Sequence, residues 1–440
     1  MKNVIYFILF ITNITIAQSP NYTQIDTYLE TLFEQNKMMG SVSILQKGKE
    51  VYQKSVGYQY ISENDTTLNA KASKYRIGSI TKTFTATMIF QLVDEGKIKL
   101  EDPLSLYFPK LKNASKIKIS NLLNHSSGLF NITSDENFDE TIASTQSDML
   151  SRIEKYSLDF QPGEKNEYSN TNYLLLGYIL EQVEGRTYSE ILKYRVTSKL
   201  GLKNTYYGGT INVNNFESVS YFYDEFGTLN LANQAHLSNP GGAGAIVSNP
   251  SDLILFMDAL FSDKLMSAKS FNVMTTIKDD FGSGIFRTVK DGIKIFAHNG
   301  GIDRFKSFVV YIPELKICLA INANALDYGL MPLALNLLTV IKGGEIVIPS
   351  FESFEVSEED LNSFSGTYSC EELPFDLIFE TDGKFLKGAP EGSDLKQLKS
   401  TNKYEFVLES IGVHLKFNKV ERTVLFTMAG ETSKTFIKKQ

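Results

Sequence analysis

Ser79 and Lys82 stand three residues apart in the stretch Arg76-Ile77-Gly78-Ser79-Ile80-Thr81-Lys82-Thr83-Phe84. On a helix that spacing puts both side chains on one face, one turn apart. A serine hydroxyl is a poor nucleophile until a neighbouring base takes its proton. A lysine can be that base only if its pKa falls from ~10.4 toward ~7–8. The positive end of a helix disfavours the ammonium and favours a developing alkoxide, and burial pushes the same way. Alone, Ser-x-x-Lys carries little, because such a tetrad arises by chance on many helices.

Two further segments add to it. Tyr168-Ser169-Asn170 follows a Pro162-Gly163 loop and precedes an apolar helix. Residues two apart in an extended segment point the same way, so Tyr168 and Asn170 can face one cleft. The phenol can relay a proton to a leaving group, and the carboxamide can donate to a substrate carbonyl. His298-Asn299-Gly300-Gly301 then follows the strand-like run 293–297. Glycines there allow a substrate to approach backbone N–H groups that stabilise an oxyanion.

The elements that must position these groups are legible in outline. Residues 40–60 alternate and turn at Lys47-Gly48-Lys49, which predicts a strand pair. Phe84, Met88, Leu92 and Val93 recur at helical spacing until Gly96, so a helix starts near Ser79. Residues 117–200 read as mostly helical, and Pro250-Ser251-Asp252 opens another helix with Ser251 or Asp252 as its cap. Strands return at 293–297, 307–312 and 316–321, the last two joined at Pro313-Glu314. Strands at both ends and helices between predict one sheet with an inserted helical subdomain. After a polar stretch, 346–359, which reads as a linker, residues 360–440 show short alternating runs and an Asp382-Gly383 turn. They predict a small all-β unit, barrel-like or sandwich.

The three chemical segments, in this order, resemble the serine β-lactamase and penicillin-binding-protein superfamily, most closely its class C-like branch. The phrases Leu122-Leu123-Asn124-His125-Ser126-Ser127-Gly128-Leu129 and Gly242-Ala243-Gly244-Ala245-Ile246-Val247-Ser248 share that likeness, which covers about residues 25–345. The resemblance implies an α+β fold: an antiparallel sheet flanked by helices, with a helical insertion. It implies a catalytic domain over 18–345, with Ser79 acylated, Lys82 as base and Tyr168 sharing proton transfer. Asn170, His298 and Gly300 would bind substrate, and the N–H groups of Ser79 and Gly301 would form the oxyanion hole. No cofactor is implied. Where many members carry Lys-Thr-Gly, this chain has His298-Asn299-Gly300. A neutral imidazole attracts a substrate carboxylate less than an ammonium does. In the family, His-x-Gly accompanies certain peptidases and esterases more than dedicated β-lactamases. The expected activity is therefore an acyl-enzyme hydrolase of a D-amino-acid peptide or small ester. A β-lactamase proper and a non-catalytic peptidoglycan-binding sensor are the alternatives.

Composition narrows the partners to a small molecule or peptide. The net charge is −7, and no Lys/Arg cluster marks a nucleic-acid surface. Lys2 before the apolar residues 4–11 and the small residues ending at Ala17 read as a signal peptide, predicting export to periplasm or exterior. Eight apolar residues fall short of the ~20 that span a bilayer. Removing Lys2, the one charged side chain in 1–17, would bring the charge to −8. Cys318 lies in an apolar run far from Cys370, so no disulfide scaffold is expected. No His-Glu-x-x-His, zinc-ligand spacing or Gly-x-Ser-x-Gly occurs. Of the four histidines, His125 reads as structural, His414 as surface, and His236 as a possible cleft residue. The Gly241–Gly244 run lacks the Gly-Lys-Ser/Thr ending of a phosphate loop and reads as a flexible cleft wall.

Overall fold

The alternating segment near the N-terminus folds into the hairpin β1 (Met38–Gln46) and β2 (Lys49–Val56), turned at Lys47 and Gly48, both at positive φ. A computed structural model describes residues 20–224, 227–277, 281–290, 292–408, 412–428 and 433–439. The expected signal segment, residues 1–17, lies outside the described residues. The hairpin joins β3 (Phe286–Lys290), β4 (Ile293–Ile302), β5 (Phe305–Ile312) and β6 (Ile317–Leu326). The sheet is antiparallel throughout, in the order β3-β4-β5-β6-β1-β2. Strands from opposite ends of the first 326 residues thus meet at the β1–β6 ladder, from Met38↔Leu326 to Gln46↔Ile317.

Alternation along β6 sorts its side chains between two layers. Ile317, Leu319 and Ile321 pack with α1 (Tyr22–Glu34), while Cys318 and Ala320 join the core around α2 (Thr81–Asp94). That second core also holds α3 (Asn170–Glu184) and α4 (Pro250–Leu260), with Phe84 stacked on Phe256 at 3.7 Å. The first is closed by α5 (Leu330–Ile341). Twelve consecutive residues of α2, Thr81 to Leu92, are buried, so this helix is enclosed all round.

Three sequence expectations need correction. His298 to Gly301 do not end a strand: β4 runs on to Ile302, because its pairing with β5 continues to Ile302↔Phe305. The cap of α4 is neither Ser251 nor Asp252. Asn249 accepts from the Asp252 N–H, and Pro250 takes the first helical position, where its missing N–H costs nothing. The Gly241–Gly244 run does wall the cleft, through Ala243 and Gly244, but as a buried turn packed against α3 rather than a flexible one; a Cβ on Gly242 would lie 2.7 Å from Tyr173 O. Cys318 and Cys370 are both free.

Residues 344–357 hold no helix or strand, yet Ile346, Ile348 and Phe351 pack against the sheet core. After α6 (Glu358–Phe364), nine strand segments form one sheet. Residues 396–402 pair with Leu386–Pro390 on one side and Glu405–Leu408 on the other. They bend at Leu398, whose N–H donates to Leu386 O. The sheet is therefore a barrel around Phe364, Phe379, Phe406, Phe417 and Phe436. Among the described residues no helix is long and apolar enough to cross a membrane.

Candidate active site

Ser79 lies in a single 3-10 turn, Gly78–Ile80, that leads directly into α2. The helix begins two residues later than the sequence suggests. Gly78 has φ +51, and a Cβ there would lie 2.8 Å from Gly301 N. Gly300 is packed more tightly: its Cβ would meet Ile77 O at 1.9 Å and Ser79 N at 3.1 Å. Only glycines let β4 press this closely on the turn that carries Ser79.

Lys82, one turn on, is fully buried. Its Nζ donates to Asn170 Oδ1 and to Ala243 O, each at 2.8 Å, and lies 3.0 Å from Ser79 Oγ. Burial holds its pKa well below the usual lysine value. A neutral amine has two N–H bonds and one lone pair. In that form, with both N–H bonds given to these oxygen acceptors, the lone pair would face the Ser79 hydroxyl.

The Tyr168 ring lies 4.9 Å from Lys82 Nζ. Burial raises the pKa of its phenol, and an interaction with the Ser79 side chain offsets part of that rise. His125 supports this ring from behind, stacked at 4.5 Å, and its Nδ1 accepts from Ser169 N at 3.2 Å. Burial first, and Lys82 second, hold the His125 pKa well below the usual histidine value. Asn170, the first residue of α3, gives its Oδ1 to Lys82 and its Nδ2 to Thr133 Oγ1.

A cavity of about 230 Å³ opens beside Ser79, lined also by Thr133, Phe138, Glu140, Asn170, Asn239, Gly301 and Ile302. His236 is not among its lining residues. It is exposed, and its Nδ1 meets Ser238 Oγ. His414 is half-buried in the barrel. His298 and Gly300 do not line the cavity either. His298 is 2% exposed, its Nδ1 hydrogen-bonds Asn299 O at 2.7 Å, and its ring packs on Phe286. Burial first, and the nearby Lys82 second, lower its pKa to about 3.

That shift has a consequence for stability. As pH falls through ~6.5 the unfolded chain binds a proton at His298, whereas the native chain does not until about pH 3. The native state therefore loses stability over that window, from this group alone. We expect His298→Gln to show a shallower fall in unfolding temperature between pH 6.5 and 4 than the parent chain. Parallel curves in a calorimetric pH series would contradict the buried neutral imidazole.

Several groups at the site had no sequence signal. Arg76 and Asp303 form a buried ion pair at 2.9 Å, 3% and 0% exposed. Arg76 also donates to Ala235 O and Gly209 O, and Asp303 accepts from Ala235 N. The pair ties the β4–β5 turn to the strand before Ser79 and to the loop around Ala235. Its partners are 227 residues apart in the chain, so spacing cannot reveal it. Ala243 contributes only a carbonyl, which its side chain does not announce.

A family profile described as Beta-lactamase matches residues 25–335. The chain is 27% identical over 315 residues to the teichoic acid D-alanine hydrolase of Staphylococcus aureus (strain MRSA252), covering 70% of this chain and 75% of that protein. It matches copies of that hydrolase from other Staphylococcus aureus strains over 62% of their length. Among solved structures, a D-stereospecific amidohydrolase from Streptomyces sp. superposes with TM-score 0.60 at 28% identity, over 68% of this chain and 94% of that one. The octameric penicillin-binding protein homologue from Pyrococcus abyssi gives TM-score 0.66 at 22% identity, over 94% and 99% of the two chains, a likeness of fold alone.

Proposed function

The chain belongs to the beta-lactamase family, and from that premise we propose that it is a serine hydrolase working through an acyl-enzyme on Ser79. Lys82 takes the Ser79 proton as Oγ attacks an ester or amide carbonyl. The N–H groups of Ser79 and Gly301 receive the oxyanion of the tetrahedral intermediate. Collapse breaks the bond to the leaving group, which recovers a proton through Tyr168 and Lys82. Water, activated by the same base, then releases the acyl group and restores Ser79. Asn170 acts twice in this reading: its Oδ1 holds Lys82, and its Nδ2 is the donor available to a substrate amide.

The observation that carries the proposal is the Lys82 amine, buried, 3.0 Å from Ser79 Oγ, with its remaining hydrogens held by Asn170 and Ala243. For the substrate we propose a D-amino-acyl ester or amide, since relatives named for D-alanine and D-stereospecific hydrolysis share the fold at 27–28% identity. A neutral His298 in place of a lysine supports this over a β-lactam, whose carboxylate gains no cation there. The kinship with a teichoic acid hydrolase supports an extracellular or cell-envelope location.

A fluorescent phosphonate that acylates activated serines tests the assignment. Intact-mass analysis should show one adduct on the parent chain and none on Ser79→Ala. Equal labelling of the two would remove Ser79 from the mechanism.

A further inference from the structure

His125 is buried and does not line the cavity, and the reaction set out above gives it no part. Yet it holds Tyr168 in three ways. Its backbone carbonyl accepts from Glu167 N at 2.9 Å, and its ring Nδ1 accepts from Ser169 N at 3.2 Å. One residue thus binds the amides on both sides of Tyr168. Its ring also stacks on the Tyr168 ring, 4.5 Å between centroids and 27° between planes. His125 itself sits at φ +59, a conformation uncommon for residues that carry a Cβ. The imidazole is fixed in turn. A backbone N–H can only donate, so Nδ1 is an acceptor and carries no proton. Asn172 Nδ2 lies 3.2 Å from the same atom, and Asn172 Oδ1 accepts from Ser127 Oγ. The rings of Tyr173 and Phe281 pack on it as well, at 5.2 and 5.6 Å.

A hydroxyl that hands over a proton has to be held more tightly than one that only packs. Resting on the acyl-enzyme reading, with Tyr168 protonating the leaving group, we propose that His125 is the positioning residue of that proton transfer. It sets the phenol toward the departing oxygen and touches no substrate itself. When an alkyl ester acylates Ser79, the departing alkoxide takes the phenol proton. The phenolate recovers one from the ammonium that Lys82 became on deprotonating Ser79. A leaving group stable as an anion, such as p-nitrophenolate, departs without that proton. A misplaced Tyr168 therefore slows alkyl esters and spares p-nitrophenyl esters, whereas a damaged nucleophile, base or oxyanion hole slows both.

The methyl and p-nitrophenyl esters of D-alanine share one acyl group, and kcat/KM for each reports the acylation step. His125→Asn is the test variant. Asparagine tolerates a positive φ, keeps the backbone carbonyl and offers Oδ1 to Ser169 N, so the ring alone is lost. Its kcat/KM should fall about tenfold for the methyl ester, the scale of one aromatic contact, and by less than about threefold for the p-nitrophenyl ester. In a Tyr168→Phe background, adding His125→Asn should cost the methyl ester nothing further. Asn172→Ala leaves His125 in place with a looser ring and should move the ratio of the two esters the same way, by about threefold. It carries the test if His125→Asn does not fold. Equal losses on the two esters, with Ser79 still labelled by the phosphonate, overturn the positioning role and leave the acyl-enzyme reading standing. So does a methyl-ester loss that persists in full in Tyr168→Phe. Labelling that does not depend on Ser79 removes the acyl-enzyme reading and this role with it.

Discussion

Lys82→Met is expected to lower kcat/KM by about 10²–10⁴-fold, the range spanned by loss of a general base. Methionine keeps most of the side-chain volume in a site where Lys82 is 0% exposed, so packing around α2 is largely retained. What disappears is the amine 3.0 Å from Ser79 Oγ, together with its donors to Asn170 Oδ1 and Ala243 O. Leaving those two acceptors unpaired costs roughly 1–3 kcal/mol each, offset in part because a buried amine no longer has to be desolvated. The pH profile separates a base from a structural lysine. Because burial lowers the Lys82 pKa, the parent rate should rise with pH as the amine deprotonates and then level off. That rising limb should vanish in Lys82→Met. Arginine, which does not deprotonate, should not rescue. A variant acylated by the phosphonate within threefold of the parent rate, or one that keeps the limb, would refute the assignment of the base.

Gly300→Ala should cost about 10²–10³-fold in kcat, although Gly300 carries no side chain and does not line the cavity. A methyl there would fall 1.9 Å from Ile77 O, far inside contact distance, with backbone on both sides. Neither a rotamer change nor a flexible side chain can relieve that clash, so β4 must move away from the Ser79 turn. The movement would carry the Gly301 N–H out of line with the Ser79 N–H and open the proposed oxyanion hole. Gly301→Ala is the informative comparison. Its Cβ would meet nothing nearer than Lys306 Nζ at 3.7 Å and Phe305 O at 3.8 Å, and the N–H is retained. A much smaller loss is expected there. Steady-state kinetics on one ester would decide it, and equal losses at the two glycines would show that the approach of β4 to Ser79 does not govern the rate.

Local patterns foretold local things. Period-two alternation placed β1, β2 and β5 close to their observed bounds and found the start of β6, which runs five residues further, to Leu326; apolar spacing placed α2. They failed where a tertiary partner decides. The start of α2 is delayed by a turn pressed on Gly301, and β4 runs through two glycines because β5 keeps pairing with it. Capping chemistry pointed to the right helix, but Asn249 won the cap from Ser251 and Asp252 because Pro250 fits the first helical position. The barrel closes through residues 396–402, whose short, polar segments carry no readable strand period.

At the candidate site the same division holds. Ser79, Lys82, Tyr168 and Asn170 were legible because their side chains carry the chemistry and the first two share a helix turn. Their number and order in the chain determined the family and the kind of reaction to expect. Only the tertiary structure decided what state those groups are in. It buries Lys82, which lowers its pKa, sets Ala243 O and Asn170 Oδ1 to hold it, and withdraws His298 into the interior, where burial lowers its pKa to about 3. It also brings Glu140 to the cavity and Asp303 to Arg76. Desolvation and long-range pairing depend on what surrounds a residue in space, and one-dimensional spacing records neither.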